Sequence, residues 1–238
     1  MTINYVGSRA QSRRGSYDLG LRQYLLNVYQ YMCTALAVTG VVAVCTASSQ
    51  ELMYMIHASG LRWLVALAPL GMAFYMGNKL TSMSQSAAQS CLMIFAALMG
   101  LSLSSVFLGF TGESVVRVFF ITSSTFGAMS VYGHSTKKDL SSMGSFLMMG
   151  SVGLLLSGIV NIFLQSSAIH FISSIVGVIV FTLFTAYDTQ KVKELYYQSQ
   201  GDERKAFKIA IYGSLMLYMD FVNLFIFLLQ ILGVRRSD

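Results

Sequence analysis

The chain has 238 residues, of which 55% are hydrophobic and only 11% are charged, and its formal net charge is +6. A soluble domain carries about 25% charged residues, so this chain has too few charges to cover a water-facing surface, and a soluble globular protein is excluded. Nucleic-acid binding is also disfavoured, because the basic residues lie in short gaps between apolar runs and do not cluster on one solvated domain.

Seven apolar stretches predict membrane-spanning helices, each of which needs about 20 mostly apolar residues. In chain order they cover about 24–48, 61–76, 87–110, 115–132, 143–164, 169–187 and 209–232. The second stretch ends near Lys79 and can begin as early as Leu52. We therefore predict an all-α polytopic membrane bundle, with a polar N-terminal tail at 1–21, a seven-helix domain at 22–234 and a short C-terminal tail at 235–238.

The distribution of Lys and Arg predicts the orientation of the bundle, because cytoplasmic connections are enriched in both. A cytoplasmic N-terminus places twelve of these residues inside and four outside, namely Arg62, Arg117, Arg235 and Arg236. This ratio favours a cytoplasmic N-terminus. The Arg235–Arg236 pair disagrees if the seventh stretch crosses fully, and a re-entrant seventh stretch remains an alternative.

Two of the ten acidic residues lie within the predicted helices: Asp188 in FTAYDTQK and Asp220 in LYMDFVNL. An ionisable side chain inside the membrane is costly and by default marks a functional site. The midpoint between positions 188 and 220 is 204, which falls in the polar connection GDERK. An antiparallel hairpin of the sixth and seventh helices therefore brings both carboxyl groups to one depth, toward the cytoplasmic half.

These two carboxyl groups, facing each other at low dielectric, are expected to share a proton and to titrate as a pair. Such a pair can sense pH or offer oxygen ligands to a hard cation such as Ca²⁺. A helical period of 3.6 residues also places a polar stripe on one face of the last helix, predicted to point into the bundle. The stripe comprises Tyr212, Met216, Asp220, Asn223 and Gln230.

Plainer interpretations of the two acids remain open at this point. Asp188 can lie at the membrane interface, paired with Lys191 one turn later, and Asp220 can be a hydrogen-bonding strut between helices. The adjacent Tyr187 and Tyr218 could hydrogen-bond the acids, although tyrosines are common near membrane interfaces in any case.

Other chemistry finds little support in the sequence. The histidines at 57, 134 and 170 share no metal-ligand spacing, and no hydrolase or phosphate-binding motif occurs, so we expect neither an enzyme nor a cofactor. Tyr187–Asp188 fits the first motif of an intramembrane aspartyl protease. The second motif, GxGD, is replaced by LYMD at 217–220, and the downstream PAL is missing because Pro69 is the only proline.

At these residues the chain resembles the bacterial members of the Bax inhibitor family, the transmembrane Bax inhibitor motif proteins. The most specific stretches are FTLFTAYDTQKVKE and SLMLYMDFVNLFIFLLQILG, because each carries an acid at the expected point. Further similar stretches are LRQYLLNVYQYMCTALAVTG, APLGMAFYM and STKKDLSSMGSFLMMGSVGLLLSGIVNIF. The resemblance covers the chain after about Asp18.

The resemblance implies six helices wrapped around the seventh, in the inner membrane of a bacterium. It also implies a pH-sensitive calcium leak without a cofactor, in which Ca²⁺ is the permeant ion and Asp188 and Asp220 act as sensor and gate. The residues expected to support that pair are Tyr187, Met216, Asn223 and Lys79.

Two points of the resemblance leave the function open. Some relatives carry an arginine just after the AFxM stretch of the second helix that latches one aspartate, whereas this chain has Gly77 there and Lys79 as the nearest cation. Bacterial relatives are also similar to a membrane protein that restrains a membrane-bound protease. The alternative function is therefore a membrane-embedded regulator of a protease or of cell-stress machinery, acting through protein contacts without transport.

Overall fold

The computed structural model describes residues 4–58, 60–80, 82–199 and 202–236, with side chains at all of these except 4–18, 57, 58 and 203. The imidazole of His57 and the glycine of the GDERK connection therefore lie outside the described part. Within it the chain forms nine α-helices and no strand: α1 Asn4–Ser48, α2 Gln50–Ala58, α3 Leu61–Lys79, α4 Gln85–Leu103, α5 Val106–Gly109, α6 Gly112–Ser135, α7 Gly144–Leu164, α8 Ser167–Gln198 and α9 Glu203–Leu232.

Six spans are long and apolar enough to cross a membrane, and a seventh results if two bent helices are counted as one. The six are α1 from Leu19 onward, α4 with α5, α6, α7 with the preceding 3₁₀ turn, α8 and α9. The predicted second span is divided between α2 and α3, which meet at an angle of 84°. The all-α polytopic bundle is thus confirmed. Helix α3 covers the predicted second stretch, and the possible extension from Leu52 forms the separate helix α2. The tail predicted at 1–21 is helical from Asn4, as an extension of α1.

Short polar side chains begin four of these helices at the predicted breaks between apolar runs. Ser84, Thr111, Ser166 and Asp202 each accept hydrogen bonds from backbone N–H groups of the first turn of α4, α6, α8 and α9 respectively. These N–H groups have no partner within the helix, so the caps fix where each helix starts.

The last helix, α9, occupies the centre of the bundle. It packs against α8, α1, α6 and α4, while α3 and α7 lie further out against α4 and α8. Half of its apolar stretch is buried, a larger share than in any other candidate span of the described chain. The outer helices instead present large apolar side chains on their surface, such as Phe163 and Met149. The predicted central position of the seventh helix is therefore confirmed.

The C-terminal end of α9 lies on the opposite side of the bundle from its start. The helix is unbroken over 30 residues, which corresponds to about 45 Å. Beyond it, the Val234 carbonyl accepts a hydrogen bond from the Thr111 N–H, and the Arg236 N–H donates to the Gly109 carbonyl, each at 3.0 Å. The seventh segment is therefore long enough to cross completely, and α9 has no break of the kind a re-entrant segment needs.

A buried hydroxyl pair ties α9 to α1 and α4. The Tyr218 hydroxyl donates to Thr39 Oγ1 at 2.7 Å, and Thr39 donates to the Ala96 carbonyl at 2.8 Å. The Tyr218 ring also packs edge-on against Phe95, with ring centroids 5.3 Å apart. Tyr218 is thus engaged with α1 and α4, and the idea that it hydrogen-bonds an aspartate is wrong.

The Tyr218→Phe variant should lower the free energy of unfolding by about 0.5–1.5 kcal/mol, because it deletes one buried hydrogen bond and little volume. Denaturation of the detergent-solubilised protein measures this loss. Tyr54→Phe is the matched control, since Tyr54 is 76% exposed. An equal loss in both variants would contradict a stabilising role for the Tyr218 hydroxyl.

Candidate functional site

Helices α8 and α9 form an antiparallel hairpin whose register brings the two intramembrane acids together. The Ser174 hydroxyl donates to Gln230 Oε1 at 2.7 Å, and the rings of Phe181 and Phe227 stack with centroids 5.8 Å apart. These pairs are centred on positions 202 and 204, as is expected for a hairpin that turns there. The register predicted from the midpoint of positions 188 and 220 is confirmed.

The carboxyl groups of Asp188 and Asp220 face each other within hydrogen-bond distance. The two side chains are only 7% and 4% exposed, and Asp220 Oδ2 is buried without a hydrogen-bond donor among the described residues. Ionised carboxylates can only accept hydrogen bonds, so a hydrogen bond between these two groups would require a proton on one of them. The arrangement therefore places two buried carboxyl groups, which are able to share one proton, between two helices.

The turn of α8 that follows Asp188 is attached to α6 and to the α6–α7 connection. The Thr189 hydroxyl donates to Ser130 Oγ at 3.4 Å. The side chain of Gln190 accepts a hydrogen bond from the Leu140 N–H at 2.8 Å and donates to the Lys138 carbonyl at 2.9 Å. These bonds hold Asp188 at a fixed rotation of α8, facing α9.

Asp188 lies near Lys191, as the first plain interpretation supposed, and it also faces Asp220. Lys191 is close enough to attract the Asp188 carboxylate. Its ammonium group, however, lies over the ring of Tyr187, 5.4 Å from the ring centroid. The partner at hydrogen-bond distance from Asp188 is Asp220, which also makes Asp220 a strut between helices, as the second plain interpretation supposed.

Three of the four predicted supporting residues point elsewhere. Tyr187 lies in the α7–α8 interface, with its hydroxyl beside Gly144. The Asn223 amide donates to the Met219 carbonyl of its own helix at 2.8 Å. Lys79 is exposed in the last turn of α3, which packs against α2 and α4. Their positions depend on how each helix is rotated, which helical spacing alone does not determine.

The predicted polar stripe of α9 faces α8 along only part of its length. Asp220 and Gln230 meet partners on α8, whereas Tyr212 is exposed. Met216 is half-buried and lies one turn before Asp220 on α9. Of the four predicted supporting residues, it is the one next to the aspartate pair.

The latch position carries no cation directed at the pair. A Cβ added at Gly77 would meet no atom within 4 Å, and the buried side chain of that turn is Met76. Gly77 therefore faces the outside of the bundle. In the described part of the chain, α3 therefore supplies no Lys or Arg side chain at this position that could bind Asp188 or Asp220.

A polar cavity of about 490 Å³ opens at the end of the bundle that carries the α8–α9 turn. It lies between α1, the start of α4 and that turn. Its polar lining comprises Gln23, Tyr24, Asn27, Gln85, Tyr196 and Ser199. The buried Tyr24 hydroxyl donates to the Val192 carbonyl at 3.2 Å, one turn beyond Asp188. Tyr24 thus lines the cavity and ties α1 to α8 one turn beyond Asp188. Nothing in the sequence singles Tyr24 out, because tyrosines at the ends of spanning helices are common.

The aspartate pair has the donors for a hard cation but too few of them for tight binding. Two carboxyl groups offer at most four oxygen atoms, whereas Ca²⁺ takes about six to eight. Within the described residues, no group of three or more His, Cys, Asp or Glu side chains is placed to hold a metal ion. The pair by itself therefore leaves at least two coordination positions of such an ion to other ligands or to water.

Comparison with known proteins identifies the family. The family model described as inhibitor of apoptosis-promoting Bax1 matches residues 21–237. A protein of Rickettsia prowazekii is 44% identical over 226 residues, covering 95% of each chain. The inner membrane protein YbhL of Escherichia coli is 39% identical over 220 residues, covering 91% of this chain and 94% of its own. The chain is thus an integral membrane protein that belongs to the Bax inhibitor family.

Proposed function

We propose that this protein is a passive, pH-sensitive cation leak of a bacterial inner membrane, with Ca²⁺ as the permeant ion and the Asp188–Asp220 pair as sensor and gate. One observation carries the proposal: two buried carboxyl groups lie at hydrogen-bond distance between the central helix and its neighbour. Buried acids that face each other within a membrane bundle are costly, and function is the usual reason for their presence.

The shared proton couples pH to the contact between α8 and α9. With one proton the carboxyl groups hydrogen-bond and hold the two helices together. Without it, two like charges repel each other at short range in a medium of low dielectric. A second proton removes the negative charge that attracts a cation. Because Ca²⁺ binds deprotonated carboxylates, protons and Ca²⁺ compete for the pair.

The route for the ion begins at the polar cavity behind Tyr24. Both acids are buried, so the proposed conduction requires α8 and α9 to separate and Tyr24 to move. A cytoplasmic N-terminus places this cavity on the cytoplasmic side. The excess of Lys and Arg at that end supports this orientation, whereas Arg235 and Arg236 lie at the other end and count against it.

Calcium flux into proteoliposomes tests the proposal. Vesicles that contain the full chain and a calcium indicator should admit Ca²⁺ faster than protein-free vesicles of the same lipid. The rate should differ several-fold between pH 6 and pH 8 as the pair changes its protonation. A rate equal to that of empty vesicles at every pH would overturn the proposal. Such a result, together with reproducible co-purification of a membrane protease, would favour the regulator function instead.

A further inference from the structure

A groove runs along the bundle between α1 and α6, and α9 forms the floor of its middle and far parts. It consists of three neighbouring cavities of about 660, 510 and 340 Å³. Gly127 lines the first two, while Gly40 and Phe221 line the second and the third. The groove follows α1 from Leu21 to Val44, a distance of about 35 Å. This length matches the hydrocarbon core of a bilayer, which is about 30 Å thick.

The middle and far parts of the groove are apolar and open sideways. Their lining consists largely of aliphatic and phenyl side chains, including Leu36, Ala43 and Val115. At the rim Phe120 is 64% exposed, so the opening faces the region that lipid tails occupy. Apolar cavities exclude water, and within the hydrocarbon region the available apolar occupant is an acyl chain.

The end of the groove near the polar cavity differs from the rest, because basic and hydroxyl side chains line it. Arg22 and His134 stand on opposite walls, on α1 and α6, together with Ser130 and Ser135. Among the described residues that line this part there is no acid. A guanidinium group binds phosphate oxygens in a bidentate manner, and basic pockets between membrane helices bind anionic headgroups.

We propose that this groove is a binding site for one anionic phospholipid, with an acyl chain along α1 and α6 and its phosphate between Arg22 and His134. Three features of the groove identify this occupant. The groove is at least as long as one membrane leaflet, its apolar lining is open to the lipid tails, and its basic end lies at the depth of the headgroups. The proposal does not depend on calcium transport.

Lipid binding to groove-filled variants tests the acyl-chain part. The purified full chain is titrated with phosphatidylglycerol, and bound lipid is counted by native mass spectrometry. Gly40→Leu and Gly127→Leu fill the groove, because a Cβ at either position meets no atom within 4 Å. Each variant should bind phosphatidylglycerol about tenfold more weakly, since displaced methylene groups lose their burial.

The matched control for these variants is Gly153→Leu on α7. Gly153 is also exposed, with open space around its Cβ position, but it lies outside the groove. This variant should bind as the wild type does. Equal affinity in the groove variants and the control would overturn the site, and an unchanged melting temperature shows that each variant is folded.

A second comparison tests the headgroup assignment. Wild type should prefer phosphatidylglycerol to phosphatidylcholine with the same acyl chains. The combined variant Arg22→Gln, His134→Gln should lose that preference but still bind lipid. Arg62→Gln removes a charge on α3, where Arg62 lies over Trp63, and should retain the preference. Discrimination that is unchanged in the combined variant would show that the phosphate does not bind between these two residues.

Discussion

Asp188→Asn and Asp220→Asn should each reduce the pH dependence of calcium flux to a ratio close to one between pH 6 and pH 8. In either variant an amide faces a carboxyl group. The amide donates a hydrogen bond at any pH, so the contact between α8 and α9 no longer requires a shared proton. Flux into proteoliposomes, normalised to the amount of reconstituted protein, measures the ratio.

Asp139→Asn is the control for this experiment, because Asp139 is an exposed acid in the α6–α7 connection at the same end of the bundle. The hydroxyl and the backbone N–H of Ser141 hold the pKa of the Asp139 carboxyl below its usual range. That group therefore stays ionised between pH 6 and pH 8, and its variant should keep the wild-type flux ratio. If both intramembrane variants also keep it, the aspartate pair is not the gate.

Gly133→Ala should lower the free energy of unfolding by about 1–3 kcal/mol, the usual cost of inserting a group into a tightly packed contact. At this position α6 crosses the backbone of α8, and an added Cβ would overlap the carbonyl oxygen of Ala186. The two helices must move apart, which also strains the Thr189–Ser130 hydrogen bond. Denaturation in detergent micelles measures the loss.

Gly127→Ala on the same helix is the matched comparison, since its Cβ would meet no atom within 4 Å. It should be neutral or stabilising by up to about 1 kcal/mol, because alanine is a better helix former than glycine. If the two alanine variants were equally stable, the contact at Gly133 would not be the constraint that sets the distance between α6 and α8.

The number and approximate extent of most spans could be predicted from the sequence, because the length of an apolar run is set directly by the membrane thickness. The register of α8 and α9 could be predicted for a related reason. An antiparallel hairpin relates its two helices symmetrically about the turn, so positions 188 and 220 must lie at similar depth wherever the helices face. The burial of Asp188 and Asp220 agrees with their cost in lipid.

The rotation of each helix depends on its neighbours and therefore required the tertiary structure. Tyr187 and Asp188 are adjacent in sequence, yet one packs toward α7 and the other toward α9. Packing between helices likewise determines the break between α2 and α3, the hydrogen bond from Tyr24 to Val192 and the groove between α1 and α6. Apolar sequence determines that a segment enters the membrane, but lipid and protein interiors are almost equally apolar. Only packing between helices decides which side of a segment is buried and where a gap remains.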